Sequence, residues 1–213
     1  MVKDIEYAGP GLSLPQGFTV FNGALYFQAT QLSSTPEPTG AELWKTDGTE
    51  AGTVLVKNIN PALRQSSNPA NFTVFNNGLY FQADDGVNDM ELWRSNGTAD
   101  GTLLLKDINS GGSSSPSEFA IFRGALYFAA DGGTGVELWK TDGTAAGTVL
   151  VKDINVSASS NPTDLTVVND VLYFKANDGV NGVELWKTDG TAGGTQILKD
   201  TCPGACSGVA VVE

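Results

Sequence analysis

Short acidic loops are the places in this chain where residue types and spacing could do chemistry. Asp84, Asp85, Asn88 and Asp89 lie together, Asp131 holds a matching place in a later segment, and Asn177, Asp178 and Asn181 hold it again further on. Hard oxygen donors gathered on short loops suit calcium, which takes roughly six to eight oxygens in irregular geometry. The same Asp-Gly pattern is also ordinary hairpin chemistry, and its spacing matches no EF-hand register. Trp44, Trp93, Trp139 and Trp186 offer a second chemistry, since an exposed indole is a stacking platform for sugars. Each follows an apolar leucine inside a strand-like run, however, which favours packing in a core.

Glu42, Glu91, Glu137 and Glu184 stand two residues before those tryptophans, and Lys45, Arg94, Lys140 and Lys187 stand one after. Side chains alternate along a strand, so each glutamate shares the indole's face and each cation shares the leucine's. Pairing within one strand is therefore disfavoured, and a partner on another strand or in a neighbouring unit is expected for both. General acid-base catalysis finds little support. Histidine is absent, which removes the usual base and the Ser-His and Cys-His nucleophile systems. A pair of glycosidase carboxylates survives formally among 24 acidic residues. Such a pair should break the repeat, and the clearest breaks, the 30–40 loop and the CPGAC tail, hold no acid pair. No catalytic or cofactor-binding residue is expected, and the chain is expected not to be an enzyme.

The elements that must position these residues come from repetition. The block ELW-[KR]-[TS]-[DN]-GT occurs four times, with tryptophans 46 to 49 residues apart. That length holds one small sheet and cannot bury a core alone, so neighbouring units must cover one another. The second unit reads as four β-rich runs: a, FTVF at 72 to 75; b, LYFQA at 79 to 83; c, ELWR at 91 to 94; and d, TLLLKDI at 102 to 108. Asn-Gly, Asp-Gly and Gly-Thr pairs between them supply tight reversals. Runs such as LYF are apolar on both faces, as in stacked sheets, and no segment shows helical periodicity. Asp47, Asn96, Asp142 and Asp189 in the c to d turn are expected to accept backbone N–H groups and hold that turn. The reading is an all-β propeller of four blades, each of four antiparallel strands, in repeats near 6–59, 60–108, 109–154 and 155–201, followed by a tail over 202–213.

The set LYF.A.DG..G.ELWKTDGT.AGT.LVKDI resembles the bacterial ELWxxDGT-repeat family, and its strand order is similar to that of YWTD and NHL propellers. The resemblance covers nearly the whole chain. It implies a propeller-like module of the kind found in large exported bacterial proteins. The first copy departs from the pattern, with TQLSSTPEPTG at 30 to 40 in place of the DG..G loop.

A leading d run, VKDI at 2 to 5, and a trailing a run, VAVV at 209 to 212, leave an extra strand at each end. Three outcomes stay open: a four-bladed ring with two leftover strands, a piece of a larger propeller, or end strands that pair with other copies. The net charge of -12 and the even recurrence of cations among carboxylates argue against nucleic acid and anionic membranes as partners. No run of about 18 apolar residues spans a membrane, and no export signal is visible. Cys202 and Cys206 in CPGAC are spaced for a small-loop disulfide, which would favour an oxidising compartment. A single domain over 1–213 is expected. It is expected to act as a non-catalytic structural or protein-interaction module of a secreted or cell-surface assembly, with other subunits or copies of itself as partners. The alternative is a multivalent carbohydrate-binding, lectin-like propeller, assisted by calcium, with glycans as ligands; otherwise no cofactor is expected.

Overall fold

A computed structural model describes residues 2–5, 13–31 and 38–200. Every regular element among them is a β-strand. Two compact units divide the chain, Met1–Ser115 and Pro116–Glu213, each carrying two repeats. In the first unit β1 (Gln16–Phe21), β2 (Ala24–Gln31), β3 (Gly40–Thr46) and β4 (Val54–Lys57) form one sheet, and β5 (Ala70–Phe75), β6 (Gly78–Asp84), β7 (Met90–Ser95) and β8 (Leu103–Lys106) form the next. The second unit repeats this with β9 (Ser117–Phe122), β10 (Ala125–Asp131), β11 (Val136–Thr141) and β12 (Val149–Lys152), then β13 (Thr163–Val168), β14 (Val171–Asn177), β15 (Val183–Thr188) and β16 (Gln196–Lys199). All four sheets run in sequence order with antiparallel neighbours, the up-and-down order of a propeller blade.

Local chemistry sets the hairpins. Each a to b connection is a two-residue turn with both residues at positive φ: Asn22-Gly23, Asn76-Asn77, Arg123-Gly124 and Asn169-Asp170. That is the type I′ geometry whose twist matches paired strands. Strand a also carries a bulge at one repeated position, where Gly17, Asn71, Glu118 and Asp164 take φ of 57 to 70° and the register slips. Glu118 is the poorest fit, since an L residue with a long side chain pays about 1 kcal/mol in the left-handed region. Glu118→Gly should stabilise the protein by about 0.5–1 kcal/mol in chemical denaturation, offset in part by the exposed hydrogen bond that Asp164 N donates to the Glu118 carboxylate.

The register places Phe27 opposite Trp44, Phe81 opposite Trp93, and Phe174 opposite Trp186, so phenyl and indole make one face of each blade. The other face carries leucine and tyrosine. In the first unit Phe21, Tyr26, Leu43, Val56 and Ile59 of the first blade form one buried cluster with Leu79, Phe81, Ala83 and Trp93 of the second. In the second unit Phe122, Tyr127, Leu138, Val151 and Ile154 meet Leu172, Phe174, Ala176 and Trp186 in the same way. The indole face of a blade thus covers the leucine face of the blade before it, and this contact is the core.

The ends differ from expectation. Residues 2–5 form no strand, and Ile5 is buried against Phe27, Ala29 and Trp44. The VAVV run at 209–212, Cys202 and Cys206 lie outside the described residues.

Candidate functional site

The repeated glutamate finds its partners in the connector that leads to the next blade. Glu42 is fully buried on β3 and accepts from Ile59 N at 2.8 Å, Asn60 N at 3.4 Å, Ser67 N at 3.1 Å and Ser67 Oγ at 2.6 Å. Glu91 takes Ile108 N, Asn109 N, Ser114 N and Ser114 Oγ, and Glu137 takes Ile154 N, Ser160 N and Ser160 Oγ. These carboxylates pin the d to a crossover of the fold. Burial pushes Glu42 up to about 7, against the hydrogen bond from Ser67, and moves Glu91 upward as well. A carboxyl that ionises near 4.5 when unfolded and near 7 when folded contributes stability that is complete below about pH 4.5 and is lost as pH rises through about 7. The melting temperature should therefore fall between pH 5 and pH 8, and Glu42→Gln should flatten that slope; an unchanged slope would contradict the assignment.

The repeated cations find backbone carbonyls. Lys45 Nζ reaches Gly97 O at 2.8 Å and Lys140 Nζ reaches Gly190 O at 2.8 Å, each in the c to d turn of the next blade. Lys57 and Lys152 reach Thr102 O and Thr195 O in those same turns. The turns are rigid enough to receive them. Asp47 Oδ1 accepts from Thr49 N and Thr49 Oγ1, Thr53 Oγ1 donates to Thr49 O, and Asn96, Asp142 and Asp189 repeat the arrangement. The hydrogen bond from Thr49 holds Asp47 below the usual carboxylate range, as Thr144 and Thr191 do for Asp142 and Asp189.

The acidic loops close on themselves. Asp85 accepts from Val87 N, Asn88 N and Asn88 Nδ2, and Asp178 accepts from Val180 N, Asn181 N and Asn181 Nδ2. Burial works against ionisation of both, yet those donors lower each carboxyl. Asp84 caps Gly86 N, and Asp131 caps Gly133 N and Gly135 N. Asn88 and Asp89 border a polar hollow of about 210 Å³ shared with Asp107 and Asn109. Among the described residues no three acidic, histidine or cysteine side chains gather closely enough to hold a metal ion. The tryptophans are likewise spent on structure, with Trp44, Trp93 and Trp186 buried and Trp139 half-buried.

The chain breaks its repeat at an unforeseen place. The β9–β10 turn carries Arg123 where β1–β2 and β5–β6 carry asparagine. Its guanidinium pairs with Asp170 Oδ2 at 2.7 Å, donates to Asp170 O and Asp189 O, and lies over the Phe122 ring. Asp170 is held below its ordinary range by that hydrogen bond, while burial pushes the Tyr127 phenol up. Beneath Arg123 opens a cleft of about 540 Å³ within the second unit, bordered by Tyr127, Lys140, Thr141, Asp142, Asp189 and Thr191. Gly190 forms its wall because Tyr127 Oη fills the space a side chain there would need. The sequence signal for this site was the single arginine in a turn position otherwise given to asparagine.

No family model and no curated protein matches this chain. Solved structures do. Puromycin hydrolase is 15% identical with a TM-score of 0.59, over 88% of this chain and 29% of that one. An α-L-arabinofuranosidase from Clostridium thermocellum is 16% identical with a TM-score of 0.38, over 86% and 70%. A family 117 glycoside hydrolase from Zobellia galactanivorans is 12% identical with a TM-score of 0.43, over 87% and 68%. The first of these shares the propeller fold, and this chain spans less than a third of its length. One expectation is thereby corrected. The blades seen here also occur in a protein named as a hydrolase, so this architecture gives no ground for holding that the chain is not an enzyme. Among the described residues no helix is long and apolar enough to cross a membrane.

Proposed function

We propose that this chain is a carbohydrate-binding propeller module, acting outside the cell or at its surface, whose ligand site is the Arg123 cleft. The observation that carries the reading is the mixed lining of that cleft: two cations, Arg123 and Lys140, beside two acidic residues, Asp142 and Asp189, with Thr141 and Thr191 also in the lining. Opposed charges at close quarters offer a strong anion or cation no net attraction and favour a neutral ligand rich in hydroxyls, which both donates and accepts. A volume of about 540 Å³ falls within the usual range for small-ligand pockets. Burial of three of the four indoles speaks against one stacking site per blade, so a single asymmetric site is expected.

The test is a screen of neutral glycans followed by calorimetric titration of any binder, with and without a calcium chelator. Arg123→Ala should weaken binding by at least about tenfold, the loss of one charge-assisted hydrogen bond, while the melting temperature stays close to that of the parent. No binder in the screen, or a binder indifferent to Arg123, would overturn the proposal. A second reading, as a structural or protein-interaction module, is favoured by the exposure of Val168, Leu185 and Leu198 on the last blade.

A further inference from the structure

The first unit carries the same residues as the Arg123 cleft, with three exchanges. Tyr26, Lys45, Asp47 and Thr98 hold the places of Tyr127, Lys140, Asp142 and Thr191, and Lys45 reaches Gly97 O at 2.8 Å as Lys140 reaches Gly190 O. Asn22, Asn77 and Asn96 stand where the second unit has Arg123, Asp170 and Asp189. The turns with Asn22 and Asn77 keep positive φ at both residues, so neither arginine nor aspartate is needed to fold them. Arg123 has a φ of 47°, a backbone region that suits asparagine and disfavours a longer side chain. Its ion pair with Asp170 offsets little of that, because the two side chains are 45 and 69% exposed and water screens such pairs. Stability therefore gives no reason for the exchange, and the cleft beside it does.

A guanidinium has five N–H donors in one plane, and it grips a carboxylate by presenting two of them in parallel. Arg123 commits that fork inside the protein. Nε donates to Asp170 Oδ2 at 3.0 Å, Nη2 donates to Asp170 Oδ2 at 2.7 Å and to Asp170 O at 3.2 Å, and Nη1 donates to Asp189 O at 3.1 Å. One N–H on Nη1 is left without a partner among the described residues. Asp170 lies outside the cleft lining, where Arg123 and Lys140 balance Asp142 and Asp189, and adds one further negative charge beside it.

We propose that Asp170 sets the specificity of this site: by occupying the guanidinium fork it confines the cleft to neutral sugars and turns away sugars that carry a carboxylate. The inference rests on the carbohydrate-binding reading above. With one N–H to offer, Arg123 makes a single bond to a hydroxyl oxygen of a neutral sugar. A uronic acid has to displace Asp170 before it can take two parallel N–H groups, and it meets the carboxylates of Asp142, Asp170 and Asp189 together. Asp170 acts through Arg123 and fixes the direction of the remaining N–H, with the Phe122 ring 5.1 Å below the guanidinium as a second support.

Titration of the whole 15N-labelled chain with glucuronate, acetate and glucose tests this, read from the Arg123 Nε–H signal and from the Lys140 and Thr191 amides. Arg123 is one of three arginines, so its signal is distinguishable. Asp170→Ala should bind glucuronate and acetate at least about tenfold more tightly than the parent, with the Arg123 signal shifting as the released fork is taken. Glucose, which lacks the carboxylate, should show no such gain. Asp170→Asn keeps an acceptor and should fall between, and Arg123→Ala added to Asp170→Ala should abolish the gain. Equal carboxylate affinity in the parent and Asp170→Ala, or a gain that survives the loss of Arg123, would overturn the proposal. These titrations do not depend on the glycan screen. A screen without binders removes the carbohydrate reading, whereas a carboxylate response unchanged by Asp170→Ala removes this inference alone.

Discussion

Glu42→Ala is expected to cost about 3–5 kcal/mol and to lower the melting temperature by about 10 °C. Three backbone N–H groups and the Ser67 hydroxyl converge on that carboxylate inside the protein, and alanine gives them no acceptor. Each buried donor left unpaired costs about 1–3 kcal/mol, and removing one member of a buried charged network gives totals in the range stated. Glu42→Gln keeps one acceptor oxygen but places an amide donor among donors, so it should fall between alanine and the parent. Ser67→Ala removes one donor and leaves the carboxylate with its backbone partners, so it should cost about 1 kcal/mol. Urea denaturation followed by tryptophan emission measures all three, and near-neutral Glu42→Ala would mean the crossover does not depend on this carboxylate.

Trp93→Ala should cost about 3–5 kcal/mol through lost area and the cavity left behind. Trp93 is buried opposite Phe81 and fills the space above Leu43, Val56 and Ile59 of the preceding blade. Its indole nitrogen is buried without a hydrogen-bond partner, so Trp93→Phe gives up packing alone and should cost only about 1–2 kcal/mol. Trp186 differs, because its Nε1 donates to Ala176 O at 3.0 Å. Trp186→Phe therefore loses a buried bond as well and should exceed Trp93→Phe by about 1 kcal/mol. Equal costs at the two positions, measured in the same denaturation series, would show that the indole nitrogens are not distinguished in this way.

Much of the fold was legible because turns and strands write themselves locally. Turn-forming residues marked the hairpins, although only one of the four a to b turns is an Asn-Gly pair, and ELW with LYF marked the two central strands. Glu42, Glu91 and Glu137, and Lys45 and Lys140, find partners outside their own strand as expected, whereas the Lys187 side chain finds none among the described residues. Their partners were not legible, because Ile59 N, Ser67 N, Gly97 O and Gly190 O are backbone groups that leave no trace in residue type. The strand a bulge was hidden because glycine, asparagine, glutamate and aspartate occupy one left-handed position, so no single residue type marks it. The acidic loops drew attention as ion ligands, although Asp85 and Asp178 spend their oxygens on their own loop. Arg123 was the opposite case. Its only trace in the sequence is an arginine in a turn position otherwise given to asparagine, and its role emerges when the turn brings it to Asp170 and Asp189.

The packing of the two blades in each unit rests on one contact, indole face on leucine face. A double-mutant cycle between Leu43→Ala and Trp93→Ala tests that contact directly. The two residues lie 50 positions apart in sequence and share one buried cluster. Touching side chains should give a coupling of about 0.5–3 kcal/mol, the double variant losing less than the two single losses together. Strictly additive losses would mean that the blades do not bury one another, and the account would fail at its base.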